Sequence, residues 1–511
     1  MNPATPFSSI LFEHPSDEVQ RADPSMFRDL NLDQVFAVVR SGRDEYDLMP
    51  FFAAPLRDVR AVEYRHEVQQ DLADDALAKA VAGFALAMHE MRENLGLSGK
   101  LRERYSKERW FLDAASVYRQ AVTALADALT AIEPGSRGFT AFQRYLADYI
   151  QSEAFTRLAA DIARVTSALD EVRYCVLIKG NRVRVTRYEG EADYSEEVQR
   201  TFAKFVERTV RDYRVGFRGR AEMDHVEARI LDLVARLYPE VLQALDDFCA
   251  SHSGYLDETI RVFDREVQFY AAYQAFTAPM KAAGLEFCYP VMSADAKEIS
   301  VRGAFDLALA AKLMPKAGAI VRNDFYLTGT ERIFVVTGPN HGGKTTFARM
   351  FGQLHYLASL GYPVPAGEAV VFLPDRVFTH FEREEDLATL RGKFQDELVR
   401  IKGVLDEATA DSVLVMNESF ASTTLRDALF VGERVLDRMT ALGLLGAYVT
   451  FVDELASRNA ACVSMVGTVV PDNPAERTLK IVRKPADGLA YAAAIAGKYR
   501  LTYRQLKERL A

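Results

Sequence analysis

The sequence lacks most features that mark secreted, metal-binding or membrane-spanning proteins. It holds four cysteines in 511 residues, far apart and without C-x-x-C spacing, which argues against a zinc site or a disulfide framework. No window approaches the roughly 18 uninterrupted apolar residues of a transmembrane helix. Prolines and acidic residues within residues 1–20 interrupt any secretory signal. We therefore expect a cytoplasmic protein that does not enter the membrane.

The chain also lacks an excess of positive charge, with 63 Lys and Arg against 72 Asp and Glu and a net charge of −9. A uniformly basic nucleic-acid-binding surface is thus excluded, and any such contact would need a local basic patch. The length exceeds the roughly 250–300 residues at which a single core stops growing. Two or more domains are expected.

Hydrophobic spacing divides the chain into a helical part and a mixed part. Residues 45–170 show helical stripes such as Val122, Leu125, Leu129 and Ile132. Two β-rich runs, 172–178 and 182–188, flank Lys179-Gly180-Asn181 and predict a hairpin. Helices resume near residue 195. From about residue 297, short apolar strands alternate with amphipathic helices, which predicts a parallel sheet with right-handed crossovers.

A glycine-rich motif in the second half carries the clearest chemical signal. It runs from Gly338 to Thr345, matches G-x-x-x-x-G-K-[ST], and follows the apolar run 333–336. In such a loop, backbone N–H groups and the lysine bind phosphates, and the Thr hydroxyl can ligand Mg²⁺. The predicted nucleotide-binding residues are Gly338, Pro339, Asn340, His341, Gly342, Gly343, Lys344, Thr345 and Thr346.

A second apolar strand, 412–416, closes on Asn417 and Glu418. A carboxylate beside the terminal phosphate can orient and deprotonate the attacking water. Glu418 is therefore the predicted base, and with Lys344 it completes the predicted catalytic pair. Asn417 joins Thr345 as a predicted metal contact. Its amide oxygen is uncharged, so we expect weaker Mg²⁺ binding than with Asp.

These motifs stand in a longer run that resembles the MutS family of DNA mismatch-repair ATPases. Residues Thr337–Thr346 are similar to that family's T-G-P-N-x-G-G-K-[ST]-T loop. Further segments resemble, in order, its Y-V-P-A, D-R-I-F-T, D-D-L-A and D-G-x-A motifs: Tyr362–Ala366, Asp375–Thr379, Glu385–Ala388, and Asp487-Gly488 with Ala493-Ala494.

The resemblance implies a multidomain α + α/β protein. Its regions would be a helical core (1–110), lever helices with a clamp hairpin near 172–220 and return helices (111–296), and a P-loop, ABC-type α/β ATPase domain (297–511). It further implies ATP and Mg²⁺, a homodimer, and DNA or another structured nucleic acid held between the arms. The helical core begins almost at once, so we expect no direct mismatch recognition.

Three departures from the family pattern predict slow hydrolysis. The family's acid before the glutamate is Asn417 here, its γ-phosphate-sensing histidine is Phe451, and its S-T-F signature reads Gly392-Lys393-Phe394. The N-terminus of a helix starting there, with the Lys393 charge, is still expected to face a triphosphate across the dimer. Gly392 and Lys393 are thus the predicted contacts to the partner's nucleotide.

The predicted hairpin region is locally basic. Residues 172–220 hold 12 Lys or Arg against 7 Asp or Glu, a local charge of 12 − 7 = +5. Lys179, Arg182, Arg184 and Arg187 are the predicted nucleic-acid contacts, and more arginines follow between 208 and 220. A solvated hairpin face paired with nearby glutamates is an equally open interpretation.

Two functional hypotheses follow from these observations. In the first, a dimeric ATPase opens and closes arms around nucleic acid. In the second, an ATP-gated switch uses the same arms to bind a protein partner, which the acidic net charge favours. Kinase activity is the weakest alternative, because no acceptor-binding signature accompanies the loop.

Overall fold

The computed structural model describes residues 7–14, 24–180, 182–191, 225–314, 320–383, 392–470, 473–486 and Lys507. Several predicted features lie outside them: Asn181 in the hairpin turn, the basic stretch 192–224, and the D-D-L-A-like and D-G-x-A-like motifs. Among the described residues, no helix is long and apolar enough to cross a membrane.

The described residues up to Ala282 are helical apart from one hairpin, as the spacing predicted. Its elements are α1 (Pro24–Asp29), α2 (Leu32–Val39), α3 (Met49–Phe52), α4 (Val59–Asp71), α5 (Asp75–Lys100), α6 (Arg104–Ile132), α7 (Arg137–Ile150), α8 (Glu153–Asp170), β1 (Tyr174–Lys179), β2 (Arg182–Arg187), α9 (His225–Leu237), α10 (Pro239–Ser251) and α11 (Glu258–Ala282).

The rest of the chain mixes strands and helices. Its elements are β3 (Val291–Ser293), β4 (Ile299–Ala304), α12 (Leu307–Leu313), β5 (Asn323–Leu327), β6 (Ile333–Thr337), α13 (Lys344–Ser359), β7 (Glu368–Phe372), β8 (Val377–Phe381), α14 (Lys393–Glu407), β9 (Val413–Asn417), α15 (Leu425–Leu442), β10 (Leu445–Val449), β11 (Cys462–Val470) and β12 (Asn473–Arg483).

Contacts divide the chain into two compact units, each made of separate stretches. The first unit comprises residues 1–7, 74–134 and 140–264, and the second comprises 8–73, 135–139 and 265–511. The three-region division at 110 and 296 stays a prediction.

Long helices with a regular apolar seam build the first unit. The side chain of Asp74 caps α5 by accepting hydrogen bonds from the N–H groups of Ala76 and Leu77. The buried residues of α5 then recur at alternating spacings of four and three, which is the pattern of a helix packed along another helix: Leu77, Val81, Phe84, Met88 and Met91. On α6, Val122, Leu125 and Leu129 of the predicted stripe are buried.

The hairpin in the first unit has the predicted antiparallel pairing, with Tyr174 opposite Arg187 and Lys179 opposite Arg182. Because side chains alternate between the faces of a strand, Lys179, Arg182 and Arg184 share one face. The other face is apolar apart from Arg187 and is widely exposed, with Ile178 at 73% and Tyr174 at 45%.

The described residues of the second unit form two sheets where the sequence predicted one. The larger has the order β12-β11-β6-β10-β9-β8, and all its pairings are parallel except that of β12 with β11. The smaller has the order β3-β7-β4-β5. It mixes antiparallel and parallel strand pairs. Buried and less buried side chains alternate along β4 and β5, which indicates a sheet with one covered face.

Candidate functional site

The central strand β6 places the glycine-rich loop at the edge where the parallel strands end. All five residues of β6 are buried, and the strand lies between β10 and β11. Such a continuous apolar run is what a strand covered on both faces requires. The loop 338–343 then leads into α13, whose N-terminus is at Lys344. The strand–loop–helix arrangement predicted from the motif is confirmed.

Two glycines in this loop are required by the backbone and by close packing. Gly338 has φ +112°, and a Cβ there would lie 2.9 Å from the backbone nitrogen of Gly467. Gly343 has φ +93°, and its Cβ would lie 3.0 Å from the carbonyl oxygen of Leu479. No side chain fits either position without displacing backbone. These glycines let β11 and β12 close against the loop.

Lys344 turns its ammonium group back into the loop. Its Nζ donates to the carbonyl oxygens of Gly338 and Pro339 at 3.0 and 3.2 Å and to Oδ1 of Asn340 at 3.3 Å. The side chain is 5% exposed. Burial lowers its pKa, while the nearby carboxylates of Glu418 and Asp453 act in the opposite direction. The Lys344 ammonium group thus lies among hydrogen-bond acceptors of the loop, at the N-terminus of α13. A positive charge beside a helix N-terminus suits an anionic ligand.

Glu418 approaches the same space from the end of β9. This strand lies next to β10, so its carboxyl end meets the same sheet edge as that of β6. The N–H of Glu418 donates to the carbonyl oxygen of Val449 at 3.0 Å. Glu418 and Phe420 have φ angles of 50° and 66°, a left-handed conformation that costs a non-glycine residue roughly 1–2 kcal/mol. The segment that carries the glutamate is therefore strained.

A cavity of about 490 Å³ brings the predicted residues together. It is lined by Asn340, His341, Gly342, Gly343, Lys344, Thr345, Thr346, Glu418 and Leu479. Gly338 and Pro339 bound the loop through the carbonyl groups that accept from Lys344. The glycine-rich loop and the glutamate therefore face one volume, although 418 − 344 = 74 positions separate Glu418 from Lys344 in sequence.

Two residues of β12 belong to this site and were missed by the sequence reasoning. Leu479 lines the cavity and has φ 60°. Arg477 donates from Nε to the carbonyl oxygen of Asn340 at 3.3 Å. Both depend on a strand that returns antiparallel to β11, and no motif in the sequence marked that return.

The residues around the loop fit a bound divalent cation. Thr345 is among the residues that line the cavity, whereas Asn417 is not. Asn417 is 8% exposed, and its Oδ1 has no hydrogen-bond partner among the described residues. A buried carbonyl oxygen without a donor is costly. It is also the type of group that accepts a hydrogen bond from a water of a Mg²⁺ hydration shell.

The residues predicted to contact a second nucleotide lie at the start of α14. Gly392 caps α14, and Lys393 begins it; the Lys393 ammonium forms an ion pair with Glu382. Phe451 follows β10 and is 45% exposed. Whether Gly392 and Lys393 face a second nucleotide stays a prediction.

The four cations of the hairpin do not have equivalent surroundings. Lys179, Arg182 and Arg184 are exposed on one face. The guanidinium group of Arg187 instead donates from Nε to the carbonyl oxygen of Leu237 at 3.2 Å and lies over the ring of Tyr238, 4.9 Å from its centroid. Arg187 therefore fastens β2 to the end of α9, on the face opposite the other three.

Comparison with known proteins matches this half of the chain to one family. The family model MutS domain V covers residues 334–494. That range starts in β6 and takes in the loop, α13 and the strand that ends at Asn417. The cavity residues 340–346, Glu418 and Leu479 all fall within it.

Curated relatives give the same result over longer alignments. The DNA mismatch repair protein MutS of Symbiobacterium thermophilum is 30% identical over 234 residues, 45% of this chain and 25% of the relative. The proteins of that name from Chlorobium phaeovibrioides and Lachnoclostridium phytofermentans are 26% and 27% identical over 51% and 54% of this chain. The alignments span between 25% and 29% of the lengths of these three relatives. Residues 334–494 of this chain therefore match domain V of the MutS family.

Proposed function

We propose that this protein binds ATP with Mg²⁺ in the cavity at the glycine-rich loop and hydrolyses it slowly. We further propose that it acts as a homodimer whose nucleotide state controls clamp-like binding of DNA or another structured nucleic acid. The observation that carries the proposal is the single cavity that joins Lys344, the N-terminus of α13 and Glu418.

The loop and helix supply the binding of the triphosphate. The N–H groups of residues 343–346 and the α13 dipole attract phosphate oxygens. The Lys344 ammonium exchanges its bonds to the loop carbonyls for bonds to those oxygens. Thr345, with Asn417 acting through a water molecule, would hold Mg²⁺, which neutralises phosphate charge.

Glu418 supplies the hydrolytic step. Its carboxylate accepts a proton from a water molecule as the water oxygen attacks the γ-phosphorus, and the bond from that phosphorus to the bridging oxygen breaks, giving ADP and phosphate. Two features slow the step. Asn417 brings no charge to the metal, and the phenyl ring of Phe451 cannot donate a hydrogen bond to the phosphate.

The proposed clamp function draws on the hairpin and on the names of the relatives. Lys179, Arg182 and Arg184 form an exposed basic face suited to a phosphate backbone. The relatives carry the name DNA mismatch repair protein. In the proposed dimer, Gly392 and Lys393 face the partner's nucleotide, and Lys393 then exchanges its ion pair with Glu382 for the phosphate.

A second candidate function is an ATP-gated switch that binds a protein. The opposite hairpin face favours it, because the large apolar side chains of Tyr174, Val176 and Ile178 are exposed to solvent there. In this case the apolar face would contact a partner protein, and nucleic acid would be absent from the cycle.

One experiment tests both candidates. ATP turnover of wild type and Lys344→Ala is measured with duplex DNA, branched DNA and RNA, and the mass of the particle is measured with and without ATP. The clamp proposal expects Lys344-dependent turnover that one nucleic acid stimulates, together with a dimer. A monomer that no nucleic acid stimulates would favour the protein switch, and no Lys344-dependent ATP binding would overturn both.

A further inference from the structure

We propose that Glu397 is a positioning residue for Glu418. Its buried carboxylate holds the strained segment 418–422 from the first turns of α14, and this sets the direction of the Glu418 side chain. The inference rests on the proposed role of Glu418 as the hydrolytic base.

The carboxylate of Glu397 is bonded directly to the segment after Glu418. Glu397 is 1% exposed. Its Oε2 accepts a hydrogen bond from the backbone N–H of Phe420 at 3.1 Å and one from the hydroxyl of Ser422 at 3.4 Å. A charged acceptor makes stronger bonds of this kind than a neutral one. The segment is therefore tied to a helix that is far from it in sequence.

His380 on β8 provides a second tie between the same elements. Its Nε2 lies 3.2 Å from the carbonyl oxygen of Glu397, and its Nδ1 lies 2.8 Å from Oγ of Ser419. A carbonyl oxygen only accepts, so Nε2 carries the proton and Nδ1 of the neutral ring is an acceptor. The Ser419 hydroxyl lies within hydrogen-bond distance of both Nδ1 and the carbonyl oxygen of His380, at 2.8 and 3.2 Å. Burial, which lowers the pKa of His380 to about 4, keeps the ring in this neutral form.

These ties act on a backbone that would otherwise relax. Glu418 and Phe420 both have positive φ angles, a conformation that persists only when the surroundings hold it. On one side, Glu418 is held by its N–H bond to Val449. On the other side, Ser419 and Phe420 are held by His380 and Glu397. Loss of the Glu397 carboxylate frees one side, so the Glu418 side chain no longer points reliably into the cavity.

Packing alone does not explain a carboxylate at this position. Its second oxygen, Oε1, has no hydrogen-bond partner among the described residues, and burial raises the pKa of Glu397. An apolar side chain would avoid this desolvation. A carboxylate buried at this cost indicates a role for the bonds it makes to Phe420 and Ser422.

The position of Glu397 also connects the base to the start of α14. Lys393, the first residue of that helix, lies one turn before Glu397. A displacement of the helix N-terminus therefore moves the group that holds the Glu418 segment. Contact of another subunit with this end of α14 would thereby adjust the position of the base.

The test compares Glu397→Ala and Glu397→Gln in wild-type and Glu418→Gln backgrounds. Asp406→Ala, which removes an exposed carboxylate from the same helix, is the matched control. We expect Glu397→Ala to lower kcat by about 10- to 100-fold, since small displacements of a reacting group have effects of this size, with KM for ATP nearly unchanged. The amide oxygen of Glu397→Gln still accepts from Phe420, so this variant should recover most of the activity. In the Glu418→Gln background, Glu397→Ala should have no further effect.

If Glu397→Ala lowers kcat by the same factor in the wild-type and Glu418→Gln backgrounds, the inference is overturned. A second measurement does not depend on turnover: hydrogen exchange of the Phe420 amide should be faster in Glu397→Ala than in Asp406→Ala. If Glu397→Ala does not fold, Ser422→Ala replaces it in both measurements with smaller expected effects. An unchanged Phe420 amide overturns the inference even if the protein turns over no ATP, whereas wild type without turnover counts against the proposed function alone.

Discussion

Gly338 and Gly467 approach each other so closely that a Cβ on Gly338 would lie 2.9 Å from the nitrogen and 3.0 Å from the oxygen of Gly467. Gly338 follows β6, and Gly467 lies on the neighbouring strand β11. The glycine-rich loop is therefore shaped by contact with β11 as well as by the phosphate-binding motif itself.

Gly338→Ala should lower the stability of the second unit by about 2–4 kcal/mol, because the new Cβ meets backbone and φ +112° is unfavourable for alanine. Chemical denaturation measures this. Gly403→Ala is the control, since this glycine lies within α14 with nothing within 4 Å. It should be neutral or stabilise by up to about 1 kcal/mol. Equal stability of the two variants would contradict the close contact.

Glu418→Gln should retain ATP binding and lose turnover by about 100- to 10,000-fold, because the amide cannot take the proton from water. Equilibrium ATP binding and single-turnover hydrolysis together check this. Lys344→Ala should instead lose binding. Rapid hydrolysis that persists in Glu418→Gln would remove this residue from the role of base.

Asn417→Asp should lower the Mg²⁺ concentration that gives half-maximal turnover, by about tenfold. The reason is that a carboxylate replaces a buried neutral oxygen near the predicted metal position. Turnover measured against Mg²⁺ concentration tests this. The same Mg²⁺ dependence in both proteins would show that Asn417 takes no part in holding the metal.

The salt dependence of nucleic-acid binding should distinguish the hairpin arginines that contact phosphate from the one that does not. Replacing Arg182 or Arg184 with Ala should reduce the slope of log K against log salt by about 0.9 for duplex DNA, the value for one phosphate contact. Arg187→Ala should leave the slope unchanged, because its guanidinium group is bonded to Leu237. Binding that ignores salt in the wild-type protein would contradict the proposed interface.

The stability of the second unit should fall as the pH drops from about 6.5 towards 4. Burial lowers the pKa values of His66, His355 and His380 to about 4, so in this range the unfolded chain binds protons that the folded chain does not. Each contributes up to about 3 kcal/mol of stability above pH 6.5.

Unfolding free energies measured between pH 4 and 7 test this effect. His355→Gln should remove the part of the pH-dependent loss that comes from this histidine, up to about 3 kcal/mol. His225→Gln changes an exposed residue of α9 and should leave the slope as it was. If His355→Gln does not change the slope of unfolding free energy against pH, the buried neutral state of His355 is contradicted.

The sequence by itself determined the local elements and the chemical type of the site. Val122, Leu125 and Leu129 predicted the buried face of α6, and the apolar runs before Gly338 and Asn417 predicted two buried strands. These features depend on neighbours within a few positions, so local periodicity is sufficient to find them. The smaller sheet escaped prediction because β3 and β7 pair across more than 70 residues.

Only the tertiary structure decided which groups share the site and how they are held. The glycine-rich motif predicted a phosphate-binding loop, but Leu479 reaches it through the antiparallel return of β12. Glu397 reaches the Glu418 segment because α14 packs beside the end of β9. Arg187 looked equivalent to Arg182 and Arg184 in sequence, yet it lies on the other face and bonds to α9. Such contacts join residues that are distant in the chain, and chain folding alone brings them together.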